Sequence, residues 1–324
     1  MVKMCRNEAE VWNPCDSPGM IRLAKLCFLL AIALLGALGI VSPVKVYAAD
    51  MNNTTNSVLG GDFTLVEDIV GKEYTIQDNT SINLNGYTFK DGGKEGLTLF
   101  SVASWRKLVI TGDLQPGIDG YDMVFRLDEG ATLEVRNTGI ANSRWNTIRA
   151  EGSYITINLD YVYISDVGDS IDDAKDDDKA LASNAGAGIV QAYSDDYADG
   201  IIYVCGDVVK LNGANGTTIT RCSKKYDHGG GLHAEGDNIS VSGITFSDNV
   251  TSEEGAGILL KGDDCSIDNC TFLRNETAMR GGGIYIEGAN AAVRNCGLER
   301  NKAYYRSGAV EVMAWLPSFF FEVY

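Results

Sequence analysis

Proline and histidine are scarce in this chain of 324 residues: five Pro and two His. Positive charge is in deficit, with 27 Lys and Arg against 44 Asp and Glu, a net charge of −17. A nucleic-acid binder needs a basic footprint to displace counterions, so that class is disfavoured. Low proline, with glycines off any three-residue period, excludes a collagen-like rod. Two histidines and no CxxC pair give no metal cluster, and no cofactor is expected. What is abundant is glycine, 37 residues, which argues against long helices and for a backbone with many corners. The apolar fraction of 45% is enough to build a core.

One apolar run stands apart. Leu26 to Val41 follows Arg22 and Lys25 and precedes Val46-Tyr47-Ala48-Ala49. A basic flank, a short apolar core and small residues describe a secretory signal, expected to be cleaved after Ala48 or Ala49. The run is short for a spanning helix, which needs about 20 apolar residues. The membrane is therefore expected to matter only during export. Met20 offers an alternative start, MIRLAK, to the long stretch from Met1. Without residues 1–49 the chain holds 22 positive and 41 negative charges, a net of −19. Residues 50–62 read as a linker.

The rest is periodic. Gly229-Gly230-Gly231-Leu232, Gly255-Ala256-Gly257-Ile258, Gly281-Gly282-Gly283-Ile284 and Ser307-Gly308-Ala309-Val310 recur every 26 residues. Between these anchors the register holds. Gly236, Gly262 and Gly288 form one column, Ile244, Cys270 and Cys296 another, Phe246, Phe272 and Leu298 a third, and Asn249, Asn275 and Asn301 a fourth. Within a repeat, apolar residues alternate over short runs, the signature of strands. Three short strands per repeat, broken by glycine at fixed offsets, predict one turn of a parallel β-helix, each strand pairing with its equivalent one coil on. Like residues then stack: apolar columns fill the interior, and the Asn column forms a ladder bonding to neighbouring coils. Looser coils run upstream. Ile148 to Ile155 matches Leu232 to Ile239, Val124 opens a similar unit, and Ile219 and Cys222 align with Ile267 and Cys270. The expectation is all-β, one solenoid of roughly eight to ten coils over 63–314.

The GG-[AG]-[ILV] corners and the FxxN segments Phe246-Ser247-Asp248-Asn249 and Phe272-Leu273-Arg274-Asn275 resemble the repeats of polymorphic outer-membrane proteins. Ile82 to Phe89 is similar to a coil of secreted bacterial right-handed β-helix proteins. The resemblance covers 229–310 well and the other coils loosely. It implies a right-handed single-stranded parallel β-helix on a secreted or bacterial cell-surface passenger, often adhesive, whose partner is an extracellular glycan or a host or matrix protein. Leu298 departs from the FxxN pattern, and no autotransporter barrel follows.

Two stretches break the pattern. An insertion at about 165–200 carries Asp169, Asp172, Asp173, Asp176, Asp177 and Asp178. It lacks calcium-loop spacing and reads as a solvated acidic loop. Residues 315–324 form an apolar tail, either a lid on the last coil or a truncated coil. The five cysteines after the leader, Cys205, Cys222, Cys265, Cys270 and Cys296, are odd in number and read as buried free thiols.

Asp227, His228, His233 and Glu235 are the one cluster with acid–base character, Glu235 as acid or base and His228 as its partner. The plainer reading makes His233 the outward member of a column continued by Leu259, Tyr285 and Glu311. Polygalacturonase-type NTD, GHG and RIK and pectate-lyase WIDH and RxPxxR signatures are missing. Tyr285, Tyr304 and Tyr305 fall near one side of the repeats, where rings stack on sugars or proteins. The sequence thus favours a non-catalytic binding module, with a carbohydrate-active enzyme as the alternative.

Overall fold

The computed structural model describes residues 46–47, 58–113, 116–165, 201–224, 229–313 and 320–323. The chain divides into units Met1–Lys45 and Val46–Tyr324, and every described residue lies in the second. Residues 1–45, Ala48 and Ala49, the acidic insertion beyond Ser165, and Asp227 and His228 lie outside the described residues, whereas Val46–Tyr47, at the end of the segment read as leader, is described.

As the periodicity predicts, the chain winds into stacked coils, and every strand pair is parallel. Each coil contributes to three faces. The first face stacks Ile148–Glu151, Ile202–Cys205, Leu232–Glu235, Ile258–Lys261, Ile284–Glu287 and Val310–Met313 in unbroken register. The second stacks Lys107–Thr111, 132–136, 156–160, Lys210–Ala214, Ser240–Ser242 and Ser266–Asp268. The third carries Thr218–Thr220, Thr245–Ser247 and Thr271–Leu273. A fourth strand of two residues, as in Val250–Thr251, completes the C-terminal coils.

The alternation that marks strands in the sequence becomes the inside and outside of the coil. Leu133, Ile157, Leu211, Val241, Ile267 and Val293 form one buried column of the second face. Phe246 and Phe272 stack at 5.3 Å between centroids and 5° between planes. A single coil leaves both faces of such a side chain wet; its neighbours above and below remove the water. Tyr74, Phe100 and Phe125 build a similar stack upstream, at 5.8 and 5.9 Å.

The corners explain the glycine and asparagine columns. A Cβ on Gly262 would lie 2.0 Å from the carbonyl oxygen of Gly236, and one on Gly288 equally close to that of Gly262. Only glycine lets successive backbones approach so closely. Asn275 donates its amide to Phe246 O at 2.9 Å and Asn301 Oδ1 at 3.0 Å, and its own Oδ1 accepts from Asn249. The ladder thereby satisfies corner carbonyls that the coil interior would strip of water.

Three alignments and one boundary shift. Ile219 pairs with Phe246, so Leu211 takes the place equivalent to Ile267, and Cys222 sits at the head of the Asn ladder, its N–H on Asn249 Oδ1 at 3.1 Å. The longer corner before Ile219, eight residues from Leu211 against five from Val241 to Phe246, misleads a gap-free comparison. Phe125, not Val124, pairs with Ile148. Coil pairing starts inside the segments read as leader and linker: Val46–Tyr47 pairs with Phe63–Thr64, and Val58–Thr64 pairs with Tyr74–Asn83. In the tail, Phe320–Val323 pairs with the second-face strand Ala292–Glu299, continuing that face.

Candidate functional site

Functional side chains in a coil fold stand on the outward positions, since the inward ones are spent on the core. On the first face two outward columns run side by side. One is Arg126, Arg149, Tyr203, His233, Leu259, Tyr285 and Glu311; the other contains Glu151, Cys205, Glu235, Lys261 and Glu287. His233 lies 3.0 Å by its Nε2 from Glu235 Oε1, and Lys261 Nζ donates to the same oxygen at 3.1 Å. Partial burial pushes the Glu235 carboxyl up, but the hydrogen bonds from Lys261 and His233 outweigh it and hold the group below its ordinary range. His233 itself is buried, with the Tyr203 ring edge-on at 5.5 Å. Of the four-residue cluster, the structure thus brings His233 and Glu235 together as members of an ion-pair ledge.

The tyrosine expectation needs correction. Tyr285 is only 4% exposed. The Arg280 guanidinium lies 5.2 Å from its ring centroid and is itself bonded to Glu254 at 2.6 Å. An outward ring under that ion pair offers no face to a ligand. Tyr304 is half exposed and donates its hydroxyl to Glu276 at 2.7 Å. Tyr305 is open, with Arg306 beside it.

The second face carries a hollow of about 240 Å³, lined by Glu134, Arg136, Asn158, Asp160, Asn212 and Ala214 among others. Lys107 and Arg136 both pair with Glu134, at 2.7 and 2.9 Å. Asn212 donates to Asn158 Oδ1 at 3.0 Å and accepts from Ser242 Oγ at 3.1 Å, an outward amide ladder. Asp160 accepts from Asn215 through one oxygen, Oδ1. The depression exists because Ala214 follows Arg136 and Asp160 in its column and is too short to fill the space.

Sequence reasoning missed these residues, and the aromatic rings around them. Trp105, Tyr154 and Tyr161 are 62%, 56% and 45% exposed. Trp105 and Tyr154 stack at 6.2 Å, with the indole lying against Gly130. The signal that could have found them is their place at corners, but their coils lack the 26-residue period that reveals columns.

The thiols follow burial. Cys222, Cys265, Cys270 and Cys296 are buried and Cys205 is exposed, all five free. Burial pushes the Cys265 thiol up to about 11. Contact with Cys296 and burial push Cys270 well above its usual range. Among the described residues no group of three or more His, Cys, Asp or Glu is placed to hold a metal ion.

Residues 198–315 match the family model described as a right handed beta helix region. No curated protein and no solved structure matches the chain significantly. The coil registers and that match agree: the described residues form an all-β parallel solenoid with a 26-residue period in its C-terminal coils, and 198–315 match a right-handed β-helix.

Proposed function

We propose that this chain is an exported, surface-exposed solenoid module that binds an extracellular glycan or protein and does not cleave it. The observation that carries the reading is the state of Glu235. Glycan hydrolysis needs a carboxyl that keeps its proton near neutral pH beside a second carboxylate at set spacing. Glu235 is the reverse, a carboxylate held in its charged form by Lys261 and His233. The basic-flanked apolar leader and the acidic remainder of the chain support export. The repeat motifs resemble those of surface passengers, which supports display outside the cell.

The purified exported chain tests this on a glycan array paired with a polysaccharide depolymerisation assay. Retention of sugar with unchanged polymer length is the expected result. Shortened chains would transfer the protein to the carbohydrate-active enzymes. N-terminal sequencing of secreted material should begin just after Ala48 or Ala49; a mature chain still containing Leu30 would remove the export half of the reading.

A further inference from the structure

Three exposed aromatic rings sit where the backbone disfavours them. From Trp105 onward each described coil turns from its first to its second face through one left-handed residue. In the C-terminal coils these are Asn238, Asp264 and Asn290, with φ of +59°, +58° and +56°. The backbone hydrogen bonds place Trp105, Gly130 and Tyr154 in the same column. The second corner uses Asn137, Asn215, Asn269 and Asn295, and Tyr161 stands among them. Trp105, Tyr154 and Tyr161 have φ of +60°, +63° and +54°. Asn and Asp tolerate this region because their short side chains bond locally; a bulky aromatic there is an outlier. Burial does not repay the strain, since all three rings are about half exposed or more. Strain that the core does not recover points toward a surface task.

The rings share one neighbourhood. Trp105 and Tyr154 precede the second-face segments Lys107–Thr111 and 156–160, and Tyr161 directly follows the latter. Between the margins lies the polar hollow. Four of the six exposed aromatic rings among the described residues, Tyr163 being the fourth, fall within 105–163. In the hollow the Asn158 amide nitrogen and the second oxygen of Asp160 have no hydrogen-bond partner among the described residues.

We infer that this face is a docking site for a neutral polysaccharide. The inference deepens the binding-module reading and rests on it. Pyranose rings present C–H faces that stack on aromatic planes, and their vicinal hydroxyls donate and accept at once, matching an amide beside a carboxylate. An acidic polymer would meet Asp160 on a strongly acidic chain, an arrangement that repels it. A protein partner would need a dry apolar centre, whereas this hollow is open and lined by charge and amide. The stacked pair Trp105–Tyr154 spans two coil steps, so it provides a strip along the solenoid axis suited to a chain ligand.

Affinity electrophoresis of the exported chain through gels holding xylan, galactomannan or mixed-linkage β-glucan tests this, with polygalacturonate and hyaluronan as anionic polymers. Retardation by at least one neutral polymer is expected. Tyr161→Asn places there the residue of both neighbouring coils, Asn137 and Asn215, and Tyr154→Asn the residue that Asn238 and Asn290 supply further along its column, so each should melt at or above the temperature of the parent chain. Each should also weaken retardation at least tenfold, as should Asn158→Ala. Tyr305→Ala, on a distant exposed ring, should leave it unchanged. The site is refuted by retardation in the anionic gels alone, by no retardation in any neutral gel, or by neutral retardation that survives all three variants. Neutral retardation abolished by Tyr305→Ala instead would refute this site and keep the binding-module reading. Cleavage of the retarding polymer would refute the non-catalytic reading while leaving the location intact.

Discussion

Single positions carry much of this architecture, and their roles differ by which atoms they leave without water. Asn275 is fully buried and bonded on both sides of its coil. Alanine there strands the backbone N–H of Asn249 and removes the side-chain bond to the carbonyl of Phe246. Leaving a buried polar group unsatisfied costs about 1–3 kcal/mol, so Asn275→Ala should lose about 3 kcal/mol in urea unfolding. Asn301→Ala, at a half-buried rung, should lose less. The thiols make a second residue-scale prediction. Of the five cysteines from Cys205 onward, a water-soluble disulfide reagent should modify Cys205 quickly in the native protein. Cys222, Cys265, Cys270 and Cys296 should react only on unfolding, since burial blocks access to all four and disfavours the thiolate of Cys265 and Cys270. Rapid native labelling of two or more of these four would contradict the inward placement of the cysteine column.

At the scale of strands and corners, contacts between coils join side chains that stand next to each other in register. Lys261 and His233 hold Glu235 across and along the first face. The carboxyl is lowered in the folded state relative to the unfolded chain, near 4.3. Its contribution to stability is therefore fully present above that value and fades as pH falls through the lower folded value. Thermal melts of Glu235→Gln against the parent should differ at pH 7 and converge as the pH falls through the folded-state value; a gap that persists in acid would mean the substitution acts through packing. This pairing was half legible in the sequence. The 26-residue offset puts Glu235 opposite Lys261, but nothing in the pattern reveals that the outward column beside them is covered. Tyr285 looked available for that reason: alternation separates inward from outward, and Arg280 and Glu254, which cover the ring, come from a different part of the coil. The aromatic corners were illegible for another reason. Tyr154 and Val208 are neighbours in one column, yet 54 residues separate them, so no fixed period exposes the series that runs from Trp105 to Asn290.

Over the whole molecule, the parallel solenoid was legible because identical offsets demand that like residues stack, and the observed registers repeat that stacking strand by strand. Such a fold is nearly one-dimensional: most contacts join adjacent coils, and stability is close to a sum of coil and interface contributions. Protection from hydrogen exchange should then follow local burial. Ile258, Leu260, Ile284 and Ile286 are fully buried, whereas Val310 and Val312, next in the same columns, are only half buried and Met313 is exposed. Mass-spectrometric exchange should show amides of 310–313 opening well before those of 258–261, although both strands pair in the same register. Removing a shared stack should spread the effect to both sides. Phe272 lies against Phe246 at 5.3 Å and faces Leu298 in the next coil. Phe272→Ala should cost about 3–5 kcal/mol, and its exchange increase should centre on 245–247 and 297–299 and decay toward the separate Phe100–Phe125 stack. A uniform rise across all coils would mean that the solenoid opens only as one cooperative unit, and the nearest-neighbour description would fall.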